Sequence, residues 1–291
     1  MDSFLLALGD EITDVDEETF YIFSQNQSSS RDLGMINAKA EEVELSINGR
    51  DFTIKQSPGV LQSTREGGTT GAALWRACVL FAEWLAWPKS PLFAYSLLTP
   101  NSVALELGAG ISGLMPLTLS PRVSRVVATD QQYALKLLQE NLTNNLPAIK
   151  TKSSKGHSSK SQSHHSDIDI LPLDWETSDI ASFLTTHDLH NGVDAVLVCD
   201  CIFNYALIKP LVQTCVEVCK ARQTLQSTPN PEASPTVCVI AQQLRQPDVF
   251  EQWLQSFMAS FRVWRLPDDM LTDGLKEGSG YVIHVGILRE Q

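Results

Sequence analysis

Two hydrophobic rhythms alternate between residues 103 and 288. Short, nearly continuous apolar runs are VALEL (103–107), RVVATD (125–130), AVLVCD (195–200) and VCVIA (237–241). Such runs read as strands covered on both faces. ILPLDW (170–175) closes a further strand, and FRVWRL (261–266) and YVIHVGIL (281–288) are the last two. Between the strands, apolar positions recur every three or four residues. Leu135, Leu138 and Leu142 form one stripe; Ile208, Leu211, Val212, Cys215, Val216 and Cys219 form another. That spacing predicts helices over 133–146 and 208–219, with shorter ones over 111–119 and 249–261. Strand and helix alternate, so the class is α/β: a seven-stranded, mostly parallel sheet with an antiparallel last strand and helices on both faces.

Upstream the pattern changes. VELSI, Asn48-Gly49 and RDFTI predict an N-terminal β-hairpin over 42–55, because Asn-Gly between alternating segments favours a tight hairpin turn. ALWRACVLFAEWLAW (73–87) is apolar around most of a helix and stops at Pro88. The first 40 residues are acidic and polar. Residues 10–18 read as a solvated, disordered tail, and Phe20 to Phe23 as a short strand or docking segment. Residues 1–64 are therefore an extension carrying the acidic segment and hairpin, and 65–291 the main domain. Two insertions break its pattern. Residues 150–166 (KTKSSKGHSSKSQSHHS) hold no apolar side chain, and 223–235 carry Pro229, Pro231 and Pro235; both read as disordered loops. His157, His164 and His165 are solvated on this reading, and no metal is expected.

Composition narrows the function. Of the residues, 43% are hydrophobic and 19% charged, ordinary for a globular chain, and the formal charge is −12. Such a field repels phosphate backbones, so direct nucleic-acid binding is not expected, whereas a basic protein partner suits it. The first basic residue is Arg31, so no secretory signal is read at the start. The apolar run 72–87 is too short to span a bilayer and contains Arg76 and Glu83, so no membrane association is expected. The six cysteines form no CxxC pair and read as buried, reduced thiols of an intracellular protein. Cys199 and Cys201, two apart at a strand end, are not expected to share a metal.

The chemistry begins at Glu106-Leu-Gly108-Ala109-Gly110-Ile-Ser-Gly113. A GxGxxG between strand and helix marks a Rossmann-like nucleotide loop: one glycine for the turn, one for close backbone approach, one for packing. Asp130 ends the next strand, 20 residues past Gly110, where an acid accepts hydrogen bonds from ribose hydroxyls. Both features serve NAD and S-adenosyl-L-methionine (SAM) alike. Glu106 tilts the choice towards SAM, since a carboxylate there suits the cationic methionine end. Trp175 offers an aromatic face to adenine. Successive strands thus end in Gly108, Asp130, Trp175 and Asp200 along one edge, where ligands of open α/β sheets bind.

ELGAGISGL, VVATDQ, LDWE and DCIFNYALIKPL resemble the seven-β-strand class I SAM-dependent methyltransferases, and more narrowly the family 16 lysine methyltransferases, of which the fungal ribosomal lysine N-methyltransferase 5 group is the nearest in pattern. The likeness covers roughly residues 65 to 291. It implies a SAM site made by Trp75, the loop Gly108, Ala109 and Gly110, the ribose-binding Asp130, Trp175, and Cys199, where the family often has alanine. It implies Asp200 as the catalytic residue. The family's Asp-x-x-Tyr reads Asp200-x-x-Phe203 here, so the phenol is missing, and Gln242, Gln243 and Arg245 occupy the substrate-loop position.

The expected reaction is methyl transfer from SAM to a protein lysine, the target being a large-subunit ribosomal protein and the enzyme a monomer in the cytoplasm, with the nucleus as a second location. The attacking amine must be neutral. With a reference pKa near 10.4, that costs ~4–5 kcal/mol at pH 7. A sulfonium and an apolar channel lower the cost, and Asp200 is expected to orient the amine rather than act as a strong base. An NAD(P)-binding oxidoreductase, an inactive SAM-fold scaffold and a small-molecule methyltransferase are the competing readings.

Overall fold

A computed structural model of the chain describes residues 1–25, 34–61, 70–146, 167–226 and 234–290. The N-terminal part contains α1 (Asp2–Leu8), α2 (Val15–Gln25), β1 (Glu42–Ile47), β2 (Arg50–Lys55) and α3 (Pro58–Leu61). Then come α4 (Arg76–Ala86), α5 (Pro91–Ala94), β3 (Val103–Leu107), α6 (Leu114–Leu119), β4 (Arg125–Asp130), α7 (Gln132–Asn145), β5 (Asp167–Pro172) and α8 (Ile180–Thr186). The chain continues through β6 (Ala195–Cys199), α9 (Tyr205–Gln226), β7 (Val237–Gln243), α10 (Pro247–Met258), β8 (Phe261–Arg265) and β9 (Tyr281–Leu288).

One seven-stranded sheet runs in the order β5-β4-β3-β6-β7-β9-β8. The pairs from β5 across to β7 are parallel, and β9 lies antiparallel between β7 and β8. The apolar runs follow from burial on both faces. Ala104 and Ala128 pack on one side with α4, α6 and α7, while Leu105, Leu107 and Val127 pack on the other with α8, α9 and α10. Strand order reverses between β3 and β6, which leaves a crevice beyond their carboxyl ends.

The hairpin forms as predicted, with Asn48 at φ 50 and Gly49 at φ 76, the two left-handed residues its tight turn requires. Asn141 of α7 ties β2 down: its Oδ1 accepts from Lys55 N (2.8 Å) and its Nδ2 donates to Lys55 O (2.9 Å).

The acidic start departs from expectation. Two helices, Asp2–Leu8 and Val15–Gln25, flank a short non-helical link and dock by one face, so it is not a free tail, and residues 20–23 are helix rather than strand. Glu11 pairs with Arg262 and Arg289, Glu18 with Arg265, and Ile12 N donates to Val263 O (2.8 Å) on edge strand β8. Arginines from the far end of the chain thus pair with two of the acids, Glu11 and Glu18, while Asp10, Asp14, Asp16 and Glu17 stay exposed, and the segment covers part of the sheet edge.

Two other boundaries move. α4 begins at Arg76, because Trp75 is extended (φ −95, ψ 142) and bridges to Met35. Residues 223–226, expected in a loop, continue α9. The rest of that loop up to residue 233, and all of 150–166 with its three histidines, lie outside the described residues. All six cysteines are free and buried. Among the described residues, no helix is long and apolar enough to cross a membrane.

Candidate active site

The carboxyl ends of β3, β4, β5 and β6 open into a cavity of about 410 Å³. It is lined by Trp75, Gly108, Ala109, Gly110, Asp130, Trp175, Cys199 and Asp200. Residues separated by up to 125 positions in the chain are brought together because parallel strands end on one edge.

The loop after β3 needs its glycines. Gly108 has φ +75, and a Cβ there would lie 2.5 Å from Cys201 Sγ and 3.1 Å from Trp175 Cζ2. Gly110 has φ +58 and lies against Gly71, whose oxygen would be 3.2 Å from an added Cβ. The loop amides are used within the protein. Gly108 N and Ala109 N both donate to Thr129 O (3.0 and 2.9 Å), and Gly110 N donates to Asp130 Oδ2 (2.8 Å).

Asp130 Oδ1 also accepts from Gln131 N (2.7 Å). Burial pushes its carboxyl up to about 6 while these two N–H groups pull it down. Each oxygen keeps a second lone pair for a hydroxyl donor.

Glu106 is the exception among the predicted site residues. It is 1% exposed, and it does not line the cavity. Its Oε2 has no hydrogen-bond partner among the described residues, and burial, followed by the negative charge of Asp130, pushes its carboxyl up to about 8. Glu106 thus stands behind the lining, apart from the other predicted site residues, and neutral at pH 7. Strand parity explains the placement, since Glu106 shares the α4-side face with Ala104 rather than extending from the strand tip.

The two tryptophans differ. Trp75 donates its Nε1 to Thr70 O (2.8 Å) and sets its ring 5.4 Å from the Arg245 guanidinium. Trp175 is half-buried and its Nε1 has no partner among the described residues. Cys199 and Cys201 fall on opposite sides of the sheet, and burial raises both thiols well above the usual range. Phe203 lines the cavity at 39% exposure; Tyr205 is exposed outside it and does not replace the missing phenol.

Asp200 has φ +57, unusual for a residue with a Cβ. Its N–H donates to Ala241 O (2.8 Å). Both carboxylate oxygens engage Arg245, at 2.6 Å each, and Oδ1 accepts from Gln243 N at 3.3 Å. Arg245 also donates to Gln243 Oε1 (2.9 Å). Sequence reasoning placed Arg245 near the substrate but gave it no role. It also passed over Tyr133, whose hydroxyl accepts from Gly71 N (3.2 Å) at the cavity wall. A single aromatic at the start of a helix carries no signal of that contact.

The charge of the lining is one-sided. Asp130, Asp174, Glu176 and Asp200 face it, and among the described residues the one cation is Arg245, itself on Asp200. Such a cavity suits a ligand that is cationic overall and disfavours one bearing phosphates.

Comparison with known proteins agrees with this geometry. A Schizosaccharomyces pombe protein named diaminohydroxyphosphoribosylamino-pyrimidine deaminase is 32% identical over 252 residues, 87% of this chain and 53% of that protein. The chain thus spans about half the length of that relative. Ribosomal lysine N-methyltransferase 5 of Lachancea thermotolerans is 25% identical over 287 residues, covering 80% of this chain and 84% of the relative. The protein of the same name in Candida glabrata is 27% identical over 255 residues, covering 72% and 70%. The family model described as lysine methyltransferase matches residues 55–229, from the end of the hairpin through all four strand tips of the cavity, and the chain belongs to that family.

Proposed function

We propose that the chain is a SAM-dependent protein-lysine N-methyltransferase whose target is a basic protein of the large ribosomal subunit. The observation that carries the reading is the cavity itself: a glycine loop and a ribose-type acid at one end, an apolar and acidic lining without phosphate counter-charges, and Asp200 at the other end. The names of the relatives in Lachancea and Candida support the ribosomal target, and the charge of −12 suits a lysine-rich one.

The residues present fit SAM. Gly108 and Gly110 leave no Cβ between ligand and backbone, Asp130 offers ribose two acceptor oxygens, and Trp175 presents a ring with an unpartnered N–H. When bound, SAM supplies a methyl group on a sulfonium that a neutral lysine nitrogen displaces. The chain's part is to position and to desolvate, which supply most of the barrier lowering in such displacements. Cys78, Cys199 and Ile202 make the approach apolar, which disfavours an ammonium and favours the free amine. Asp200, fixed by its backbone bond to Ala241 O and by Arg245, marks the wall against which the amine is held.

An oxidoreductase reading fares worse. A dinucleotide needs amides and cations for its pyrophosphate, and here the Gly108, Ala109 and Gly110 amides are taken and Arg245 is paired. With the methyltransferase reading we also propose a monomer working in the cytoplasm, with the nucleus second.

The test is transfer of labelled methyl from SAM into an extract of cells lacking the gene, followed by mass spectrometry of lysine methylation in cells with and without it. A labelled ribosomal protein whose lysine methylation depends on the gene is the expected result; labelling on a small molecule, or none, overturns the proposal.

A further inference from the structure

The lysine methylation proposed above requires an uncharged amine beside a carboxylate, and these two demands conflict. An unneutralised Asp200 next to the amine would stabilise its ammonium form and block attack. At a reference pKa near 10.4, only about one lysine in 2,500 is neutral at pH 7, so any added preference for the cation slows the reaction in proportion.

Arg245 removes the conflict. Its guanidinium meets Asp200 through two 2.6 Å hydrogen bonds, the bidentate arrangement of a strong pair. It is held from other sides as well: by Gln243 Oε1 at 2.9 Å and by the Trp75 ring at 5.4 Å. Gly34, from the N-terminal extension, closes over this group: a Cβ there would collide with Gln243 Oε1 and lie 3.3 Å from Arg245 Nη2. Asp200 has a 4% exposed side chain, so withdrawing Arg245 would leave a buried carboxylate without its counter-charge, a costly state.

We propose that Arg245 stays on Asp200 throughout turnover and acts as a positioning residue that makes this end of the cavity admit a neutral lysine amine and turn away the ammonium. With the pair neutral overall, the sulfonium of the donor is the nearest net charge to the amine, and it repels the cation. The other titratable groups around the pair do not reverse this. Cys199 on β6 and Cys201 beyond it are thiols pushed well above their usual range by burial. Cys78 on α4 and Tyr281 on β9 complete the immediate surroundings. Asp130, Tyr133, Asp174 and Glu176 line the cavity nearer the glycine loop.

The experiment titrates n-butylammonium, a mimic of the lysine side chain, into the full chain at pH 7.5 by calorimetry, with and without S-adenosylhomocysteine. Arg245→Gln is expected to bind it at least about tenfold more tightly than the native protein, one pKa unit's worth of charge preference. Arg245→Lys, which keeps the charge, is expected to behave as native. Adding Asp200→Asn to Arg245→Gln is expected to remove the gain. In turnover, Arg245→Gln is expected to shift the rising limb of the kcat–pH profile, which reports deprotonation of the bound amine, upward by about one pH unit, which a merely structural role would not do. Equal affinity in Arg245→Gln and native protein, including no binding in either, overturns the proposal, as does a gain that survives Asp200→Asn. If Arg245→Gln does not fold, the native protein alone decides: sub-millimolar butylammonium binding overturns the idea, and its absence together with a native-like Arg245→Lys supports it. Failure to bind S-adenosylhomocysteine would count against the methyltransferase reading and not against this one, since the amine titration runs without it.

Discussion

Glu18 and His284 are 266 positions apart, yet Glu18 Oε1 lies 2.9 Å from His284 Nε2 in the interior between α2 and β9. Arg265 reaches the same carboxylate at 3.1 Å. The acidic start of the chain is therefore built into the sheet's far edge. Burial pushes the Glu18 carboxyl up, but the hydrogen bond and charge of His284 and the charge of Arg265 outweigh it and hold the carboxyl below its usual range.

A lowered carboxyl contributes stability that is present above its unfolded pKa of 4.5 and is lost as pH falls through the folded value. Glu18→Ala is expected to destabilise the protein by about 3 kcal/mol at pH 7, because it strands buried partners. It should also flatten the acid side of the stability curve. Denaturant melts of both proteins at pH 7 and pH 4 check this; equal midpoints at pH 7 would refute it.

Glu106 works in the opposite direction. Its carboxyl sits at about 8 instead of 4.5, so the folded state holds a proton that the unfolded state has released. That contribution is complete below pH 4.5 and disappears as pH rises through about 8. Glu106→Gln keeps the shape and abolishes the ionisation. It should be more stable than the native chain above pH 8 and differ least below pH 5. Melting temperature from pH 5 to pH 9.5, in the absence of ligand, tests the crossing. A parallel pair of curves would show that Glu106 does not titrate in this range.

How much of this was legible before the structure depends on where each partner lies. The strands were legible because burial on both faces writes continuous apolar runs, and the glycine loop because a left-handed turn admits few residues at positions 108 and 110. Asp130 and Asp200 followed from their places at strand ends. The packing of the N-terminal segment was missed because Glu11 and Glu18 look solvated until Arg262, Arg265 and Arg289 are placed beside them. A helical signal was there, in Phe4 and Leu8 and in Val15 and Ile22, all of which turn inward. Arg245 escaped for the same reason as Glu18: an ion pair across 45 residues leaves no trace in local pattern. The place of Glu106 behind the lining was readable in its strand parity with Ala104, whereas its charge pointed to the ligand.

Gly108 tests the loop without touching a charge. At φ +75, with Cys201 Sγ 2.5 Å from an added Cβ, Gly108→Ala carries both backbone strain and a clash. A loss of about 2–3 kcal/mol is expected, together with a large loss of SAM affinity as the loop shifts. Cys201→Ala in the same chain removes the closest contact but leaves the strain and the Trp175 ring 3.1 Å away, so it should restore part of the stability. Urea melts of the single and double variants measure the share of the Cys201 contact; no recovery in the double variant would mean that strain and the Trp175 contact govern.

Asp130 ties ligand binding to pH. Its carboxyl sits at about 6, raised by burial against the pull of the Gly110 and Gln131 amides. Above pH 6 the carboxylate serves both amides and keeps lone pairs for ribose. Below it, one oxygen carries a proton and the site loses an acceptor. Affinity for S-adenosylhomocysteine should be flat from pH 7 to 8 and fall as pH drops from 6 to 5, by up to tenfold for each pH unit. Asp130→Ala should weaken binding about 10–100-fold at pH 7.5, the usual loss for a hydrogen bond to a charged group. It should also erase the pH dependence, because among the described residues Asp130 is the cavity acid that accepts from a glycine-loop amide. Calorimetric titration of the native and Asp130→Ala proteins at pH 5, 6 and 7.5 decides. A variant that binds weakly yet keeps the native pH slope would move the ribose contact, and the titrating group with it, to another residue.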